Sequence, residues 1–377
     1  NLHDLGYHGP EWTYDNKQQG RKNIRARLDR GVASPEWSEL FQNASVLHVT
    51  TSRSDHFPLL LSLGTEDTTR KPALFRYETM WERVPSLDSA IKEAWEENMS
   101  GALLATVAEK LKGVQKSLQN WSKKDFGSVS GCIDRKRKEL KVLYEKANSE
   151  ENTQRIKKVS GELDELLVRE ELMWKQRSRA TWIKEGDQNT RYLHKKSTWR
   201  QKKNQIRKLK NEEGTWIEKK TELNAMATDF FKKLYTKDEE VVPFELIELL
   251  PRSIQDDMNI KLTEKNSEKE VSDALFQIGP LKALGQDGFP ARFFQRNWST
   301  IKKDVIEAVL KFFEDGIMPE GINDTVIVLI PKGRNPQSLK DFRPISLCNV
   351  IYKVISKCLV NRLRPYLDEL ISETQSA

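Results

Sequence analysis

Two positively charged side chains late in the chain are placed where they could grip a polyphosphate. A β-branched apolar run, Thr325 to Ile330, ends in Pro331-Lys332, and a polar loop follows. The chain then returns through Arg343-Pro344-Ile345-Ser346-Leu347. This spacing puts Lys332 at a strand end and Arg343 on the returning strand, about one hairpin apart. Arg offers a planar fork to phosphate oxygens and Lys a point charge, so the pair is suited to a triphosphate. A second chemical group lies far upstream, where Ser54-Asp55-His56 runs into Phe57-Pro58-Leu59-Leu60-Leu61. A His at a strand start, with a carboxylate to set its tautomer, can poise a proton for transfer.

A third feature is electrostatic. Between Met173 and Lys210 there are 13 Lys/Arg against Glu185 and Asp187, a net of +11 in a chain whose total is +7, which leaves the remainder about −4. Such a concentration is the footprint expected of a polyphosphate partner. Trp174, Trp182, Tyr192 and Trp199 are interleaved with these cations. Cations neutralise phosphates, and aromatics can stack on exposed bases. The paired carboxylates Asp256-Asp257 sit in SIQDDMN. No apolar strand flanks them, so they read as a solvated loop or a helix start.

The elements that must position these groups follow from periodicity. Asn43 to Val49 and Phe57 to Leu63 read as strands, divided by the polar Thr50 to His56. From Phe75 to about Arg200 the pattern is helical. Trp81, Leu87, Ile91 and Trp95 share a face, and Leu103, Val107, Leu111, Val114, Leu118 and Trp121 follow at three- and four-residue steps. Gly127 and Gly131 are expected to break this helix from the next. Asn148 to Asn152 is expected to turn a helical hairpin whose second arm carries Ile156, Val159, Leu163, Leu166, Leu167 and Leu172. Ile206 to Leu209 and Thr215 to Ile217 flank the turn Asn211-Glu212-Glu213-Gly214 as a β-hairpin. Ala225 to Tyr235 reads as an amphipathic helix. Asn349 to Leu370 reads as another, with an apolar face of Val350, Ile351, Val354, Ile355, Cys358, Leu359 and Leu363, ended or kinked at Pro365.

Charged residues make up 32% of the 377 and apolar ones 37%, the profile of a polar globular protein with long solvated helices. No apolar run approaches the ~20 residues that span a bilayer, so the sequence supports no membrane role. Cys132, Cys348 and Cys358 show no CxxC spacing, which argues against a disulfide framework or structural zinc and for a reducing, intracellular compartment, nuclear or cytoplasmic. The chain opens at Asn1 without a basic-then-apolar leader, so it reads as not secreted. Both ends look cut, as in an excerpt from a longer polyprotein.

The IPK of residues 330–332 and the RPISL of 343–347 resemble the first two fingers motifs of reverse transcriptases from LINE-type (non-LTR) retrotransposons. The resemblance implies that Lys332 and Arg343 contact the incoming nucleotide. Lys282-Ala283-Leu284-Gly285-Gln286-Asp287-Gly288-Phe289-Pro290, with Phe293-Phe294, resembles the family's KAPGPDGFPAxFF element. Leu284 and Gln286 replace two family prolines, which implies a looser loop, and Gly285 and Gly288 would permit backbone turns. Residues 177–194 closely resemble the connecting region of plant LINE polyproteins, making Arg177, Arg179, Trp182, Lys184, Arg191, Lys195 and Lys196 candidate nucleic-acid contacts. Upstream, Trp12-Thr13-Tyr14, Arg27-Leu28-Asp29-Arg30 and Ser54-Asp55-His56 resemble the close of an endonuclease/exonuclease/phosphatase domain. By that likeness His56 binds near the scissile phosphate, Asp29 orients it, and Asp55 lies near the metal.

The expectation is therefore a mixed α+β, mostly helical chain. Residues 1–64 are the truncated endonuclease strands, 65–240 a long helical basic linker with a small hairpin, 241–266 a connector, and 267–377 the partial reverse-transcriptase fingers without the palm. RNA and DNA are the implied partners, with dNTP and Mg2+ in the intact parent. The remaining metal and phosphate ligands of the nuclease fall before Asn1, and the polymerase carboxylates fall after Ala377, so this piece is expected to bind without cleaving or polymerising. A non-enzymatic nucleic-acid-binding relic and a helical scaffold for protein partners stay open. The sequence sets no oligomeric state.

Overall fold

A computed structural model describes residues 2–16, 18, 22–41, 44–49, 54–63, 75–96, 103–125, 127–144, 149–178, 204–236, 254–333 and 335–371. The architecture is mixed α+β and mostly helical, as expected. In chain order the elements are β1 (His3–Asp4), β2 (Tyr14–Asp15), β3 (Arg25–Ala26), β4 (Val32–Ala33), α1 (Pro35–Leu40), β5 (Ser45–His48) and β6 (Leu59–Ser62). The helices α2 (Ser86–Glu96), α3 (Leu104–Asp125), α4 (Val129–Tyr144) and α5 (Glu150–Ser178) follow. Then come β7 (Leu209–Lys210), β8 (Trp216–Ile217), α6 (Lys220–Tyr235), α7 (Asp256–Thr263), α8 (Glu268–Gln277), α9 (Ala291–Arg296) and α10 (Trp298–Asp315). The strands β9 (Val326–Pro331) and β10 (Phe342–Leu347) and the helices α11 (Val350–Leu363) and α12 (Leu367–Leu370) complete the order.

Chain order and packing part company. One compact unit gathers Asn1–Ala73, Lys202–Tyr235 and Ile330–Arg343; the other gathers Leu74–Gln201, Thr236–Leu329 and Pro344–Ala377. In the first unit the strands pair two by two and antiparallel. β1 pairs with β4, β2 with β3, and β5 with β6, the last in the register Ser45↔Ser62 to His48↔Leu59. The core of this unit is small. Thr13 and Val46 are buried, whereas Leu60 and Leu61 of β6 lie open to solvent.

The second unit owns the large core. Leu87, Ile91 and Trp95 of α2 and Val107, Leu111, Val114 and Leu118 of α3 turn inward at helical spacing. They join Val271, Ala274 and Leu275 of α8, Phe289, Phe293, Phe294, and Ile301, Val305 and Val309 of α10. Val350, Ile351, Val354, Ile355 and Cys358 of α11 belong to the same cluster. Each fully buried side chain of this size contributes about 1.5–3 kcal/mol. A network of aromatic rings runs through the core, with Phe289 and Phe293 centred 4.4 Å apart and Tyr77 edge-on to both Trp81 and Phe293. Local signals start and stop the helices. Ser267 and Glu270 form a reciprocal capping box on α8, and Gly316, at φ 69°, closes α10 in the left-handed conformation.

Some local expectations shift. Gly127 (φ 56°) does break the helices, but Gly131 lies inside α4, because one glycine costs a helix only about 1 kcal/mol. The inward face of α3 starts at Leu104; Leu103 precedes the helix and is exposed. On α11, Leu359 and Leu363 project into solvent, and the helix gives way at Arg364–Tyr366, around Pro365, to a 3-10 turn. The β7–β8 ladder lies tight against its turn, Leu209↔Ile217 and Lys210↔Trp216, instead of starting at Ile206. Asp256 and Asp257 occupy the first turn of α7, where the helix dipole favours acids.

Candidate functional site

Three segments of the first unit zip together around Thr13. Its backbone carbonyl accepts from Phe57 N at 2.7 Å, and its buried hydroxyl oxygen accepts from the backbone of Leu28 and Asp29 at 3.0 and 2.9 Å. Asp15 N donates to Asp55 O at 2.8 Å. This scaffolding sets Asp29 and His56 face to face. The Nδ1 of His56 lies 2.7 Å from Asp29 Oδ2, and the Tyr14 ring tilts against the imidazole at 5.2 Å. The hydrogen bond to Asp29 raises the His56 pKa above its ordinary value, and the same bond holds the Asp29 carboxyl below its own. Both side chains are partly exposed, at 47% and 39%. With Nδ1 engaged, Nε2 is the ring atom left to meet a ligand or pass a proton. Of the three residues singled out in the sequence, the fold brings Asp29 and His56 together, whereas Asp55 adjoins His56 in the chain and its carboxylate accepts from Ser54 Oγ at 3.5 Å.

Lys332 stands at the exit of β9. Its backbone N–H donates to Asp341 O and its Nζ to Lys340 O, both at 2.8 Å. It lines a cleft of about 750 Å3 together with Lys210, Asn211, Gly333, Asn335 and Gln337. The floor is stiffened by Asp341, whose Oδ2 accepts from Gln337 N, Ser338 N and Ser338 Oγ. These bonds hold the Asp341 carboxyl below its usual range. Arg343 is exposed on β10, lies outside the residues lining the cleft, and has no ion-pair partner among the described residues.

The glycine-bearing loop ahead of the strand pair is held on several sides in the second unit. Tyr77 N donates to Gly288 O at 3.0 Å, Lys353 Nζ to Ala283 O at 2.6 Å, and Asp287 N to Asn349 Oδ1 at 3.3 Å. Gly288 has φ 74°, and a Cβ there would meet Phe75 O at 2.1 Å. Gly285 serves close approach instead of a special turn: a Cβ there would lie 2.6 Å from the Asn349 backbone. Burial pushes the Asp287 carboxyl up to about 6.

Arg177, in the last turn of α5, pairs with Glu78 at 3.0 Å and lies 5.5 Å from the Trp174 ring. The other proposed nucleic-acid contacts, Arg179, Trp182, Lys184, Arg191, Lys195 and Lys196, lie outside the described residues. On α11, Lys353 and Arg362 are occupied structurally, Arg362 by Glu270 and by the carbonyls of Leu262, Glu264 and Lys265. Sequence reasoning missed Lys210 and Asn211 as cleft residues. Their signal was the turn it did find, since a hairpin projects whatever its ends carry.

Among the described residues no three His, Cys, Asp or Glu side chains cluster as metal ligands. No described helix is long and apolar enough to cross a membrane. No protein-family model matches the chain. A stretch of 107 residues, 28% of the chain, is 34% identical to part of the Transposon TX1 uncharacterized 149 kDa protein of Xenopus laevis and covers 8% of that protein's length. The likeness supports a transposon-related origin.

Proposed function

We propose that the chain is a segment of a LINE-type (non-LTR) retrotransposon polyprotein, serving an RNA-directed DNA polymerase that copies element RNA at a nicked DNA target. Residues 1–64 would close an endonuclease/exonuclease/phosphatase-type domain, and residues 267–377 would form the polymerase fingers. The observation that carries the reading is the His56–Asp29 pair. A likeness in motif order assigned the two to one phosphate-handling group across 27 residues of chain, and they lie 2.7 Å apart. A hydrogen-bonded imidazole of raised pKa, held at an exposed edge, suits a phosphodiester: it offers positive charge and a transferable proton. Exposed Lys332 in its cleft supports the nucleotide role, with Arg343 close by in sequence on the returning strand. The segment's own work is binding, and both metal-dependent reactions belong to the longer parent.

Fluorescence anisotropy of the whole chain with labelled RNA and with duplex DNA tests this. Binding should be clear at 50 mM salt and fall at least tenfold by 200 mM, as phosphate contacts require. No binding to either polymer at 50 mM salt would overturn the proposal.

A further inference from the structure

The β7–β8 hairpin carries one side chain whose exposure the fold does not explain. Leu209 is buried and packs the hairpin down, while Trp216, facing the other way in the ladder, is 42% exposed. Lys210 stands opposite Trp216 in register, and the ammonium groups of Lys208 and Lys210 lie 4.8 and 5.1 Å from the indole centroid. The platform is rigid. Asn211 N donates to Thr215 O at 3.0 Å, Thr215 N to Asn211 Oδ1 at 2.8 Å, and Gly214 turns at φ 81°. Lys210 fastens the hairpin to the loop ahead of β10, through its backbone N–H to Gln337 O at 2.7 Å and its Nζ to Gln337 Oε1 at 2.9 Å. Those bonds bring Lys332 into the same cleft.

We propose that this hairpin is a stacking platform for single-stranded nucleic acid: a base lies on Trp216 while flanking phosphates meet Lys208, Lys210 and Lys332. The inference rests on the nucleic-acid reading above and names where the strand sits. Every base has a π-face to offer an exposed indole, and every base brings a phosphate for the cations beside it. The nearby acids leave that charge usable. Glu218 reaches Lys208 only at 3.9 Å, Asp341 is engaged by three donors on its own loop, and Glu212 lies on the turn. Lysine stems are flexible, so an ammonium now over the ring swings to the phosphate as a base enters. A duplex keeps its base faces stacked inside and gains only the phosphate contacts. A protein surface offers no matched series of rings and anions.

The test compares variants of the whole chain by anisotropy, using a fluorescein-labelled 15-nucleotide RNA without self-complementarity and the same sequence as a duplex. W216A should weaken single-strand binding about tenfold and leave duplex binding within about twofold. W216F should stay within about threefold of the unaltered chain on the single strand, because it keeps a ring. The K208Q/K210Q double variant should reduce the slope of log affinity against log salt by about 1.4 on the single strand. Thermal melting confirms folding; if W216A melts early, W216F and K208Q/K210Q decide. Single-strand affinity unchanged in W216A, equal weakening on the duplex, or W216F as weak as W216A would each overturn the platform. If the unaltered chain binds neither probe, the nucleic-acid function itself falls. If it binds and W216A matches it, only the platform falls.

Discussion

Replacing Asp287 by Asn should stabilise the chain at neutral pH, against the usual expectation for a charged side chain beside a lysine. Asp287 is mostly enclosed in the 282–290 loop, its Oδ1 accepting from Phe289 N at 3.2 Å, and burial lifts its pKa from 3.8 to about 6. In the unfolded chain the group ionises near 3.8, while in the fold it keeps its proton for roughly two further pH units. Below about pH 4 both states are protonated and nothing is lost. As pH rises from about 4 to about 6 the unfolded state sheds its proton first, so folding weakens, and above that window the loss is constant. Two units correspond to at most about 3 kcal/mol, and less to the extent that water still reaches the carboxylate. Asn keeps the oxygen that accepts from Phe289 and never ionises. Urea unfolding followed by tryptophan fluorescence should therefore show D287N equal to the unaltered chain near pH 4 and about 1–3 kcal/mol more stable at pH 7.5. Other titrating groups cancel in the difference. A variant less stable at pH 7.5, or a difference that does not change with pH, would show that Asp287 is ionised and held by Lys353, and the reasoning would fail.

Gly288→Ala should cost about 3 kcal/mol or more, since it combines a left-handed backbone with a Cβ pressed on Phe75 O. A melting temperature within a degree of the original would show that the loop simply slides off. Asp29→Asn should lower the His56 pKa toward 6.5, read from the imidazole resonances in an NMR titration. The His56–Asp29 contribution to stability is full between the ordinary pKa values of the two groups, 3.8 and 6.5; it is lost as pH rises through the raised His56 pKa and as pH falls through the lowered Asp29 pKa, and the variant should lack that dependence; an unmoved titration would remove Asp29 as its partner. Arg362→Ala leaves three carbonyls without this donor and Glu270 with only its Ser267 bonds, and should cost about 2–3 kcal/mol in chemical denaturation. A loss under about 0.5 kcal/mol would reduce that fork to a surface contact.

What could be read from the chain was local or carried by motif. The spacing of Val107, Leu111, Val114 and Leu118 gave α3 its inward face, and Asn211 to Gly214 gave the hairpin, because both signals lie within a few residues. Motif order brought Asp29 to His56 although nothing between them encodes the contact. Other pairings left no trace. Trp95 Nε1 donates to Asp304 at 2.8 Å, and Arg292 grips Glu82, each across about two hundred residues, and no periodicity announces such partners. The same limit hid the role of Gly285: its type is visible, but the Asn349 backbone that requires it arrives 64 residues later. The exposure of Leu359 and Leu363 toward the C-terminal end of α11 was misjudged because an apolar stripe does not say how far its neighbour extends.

The large core has a consequence for synthesis. Helices α2 and α3 finish emerging by residue 125, but α10, which packs on both and accepts from Trp95 Nε1 through Asp304, is complete only at residue 315. At ribosomal speeds of about 5–20 residues per second, their inner faces wait roughly 10–40 s for that cover. During that interval the nascent chain presents Trp95, Val107, Val114 and Leu118 to the cell, an invitation to holdase chaperones that the finished protein no longer extends.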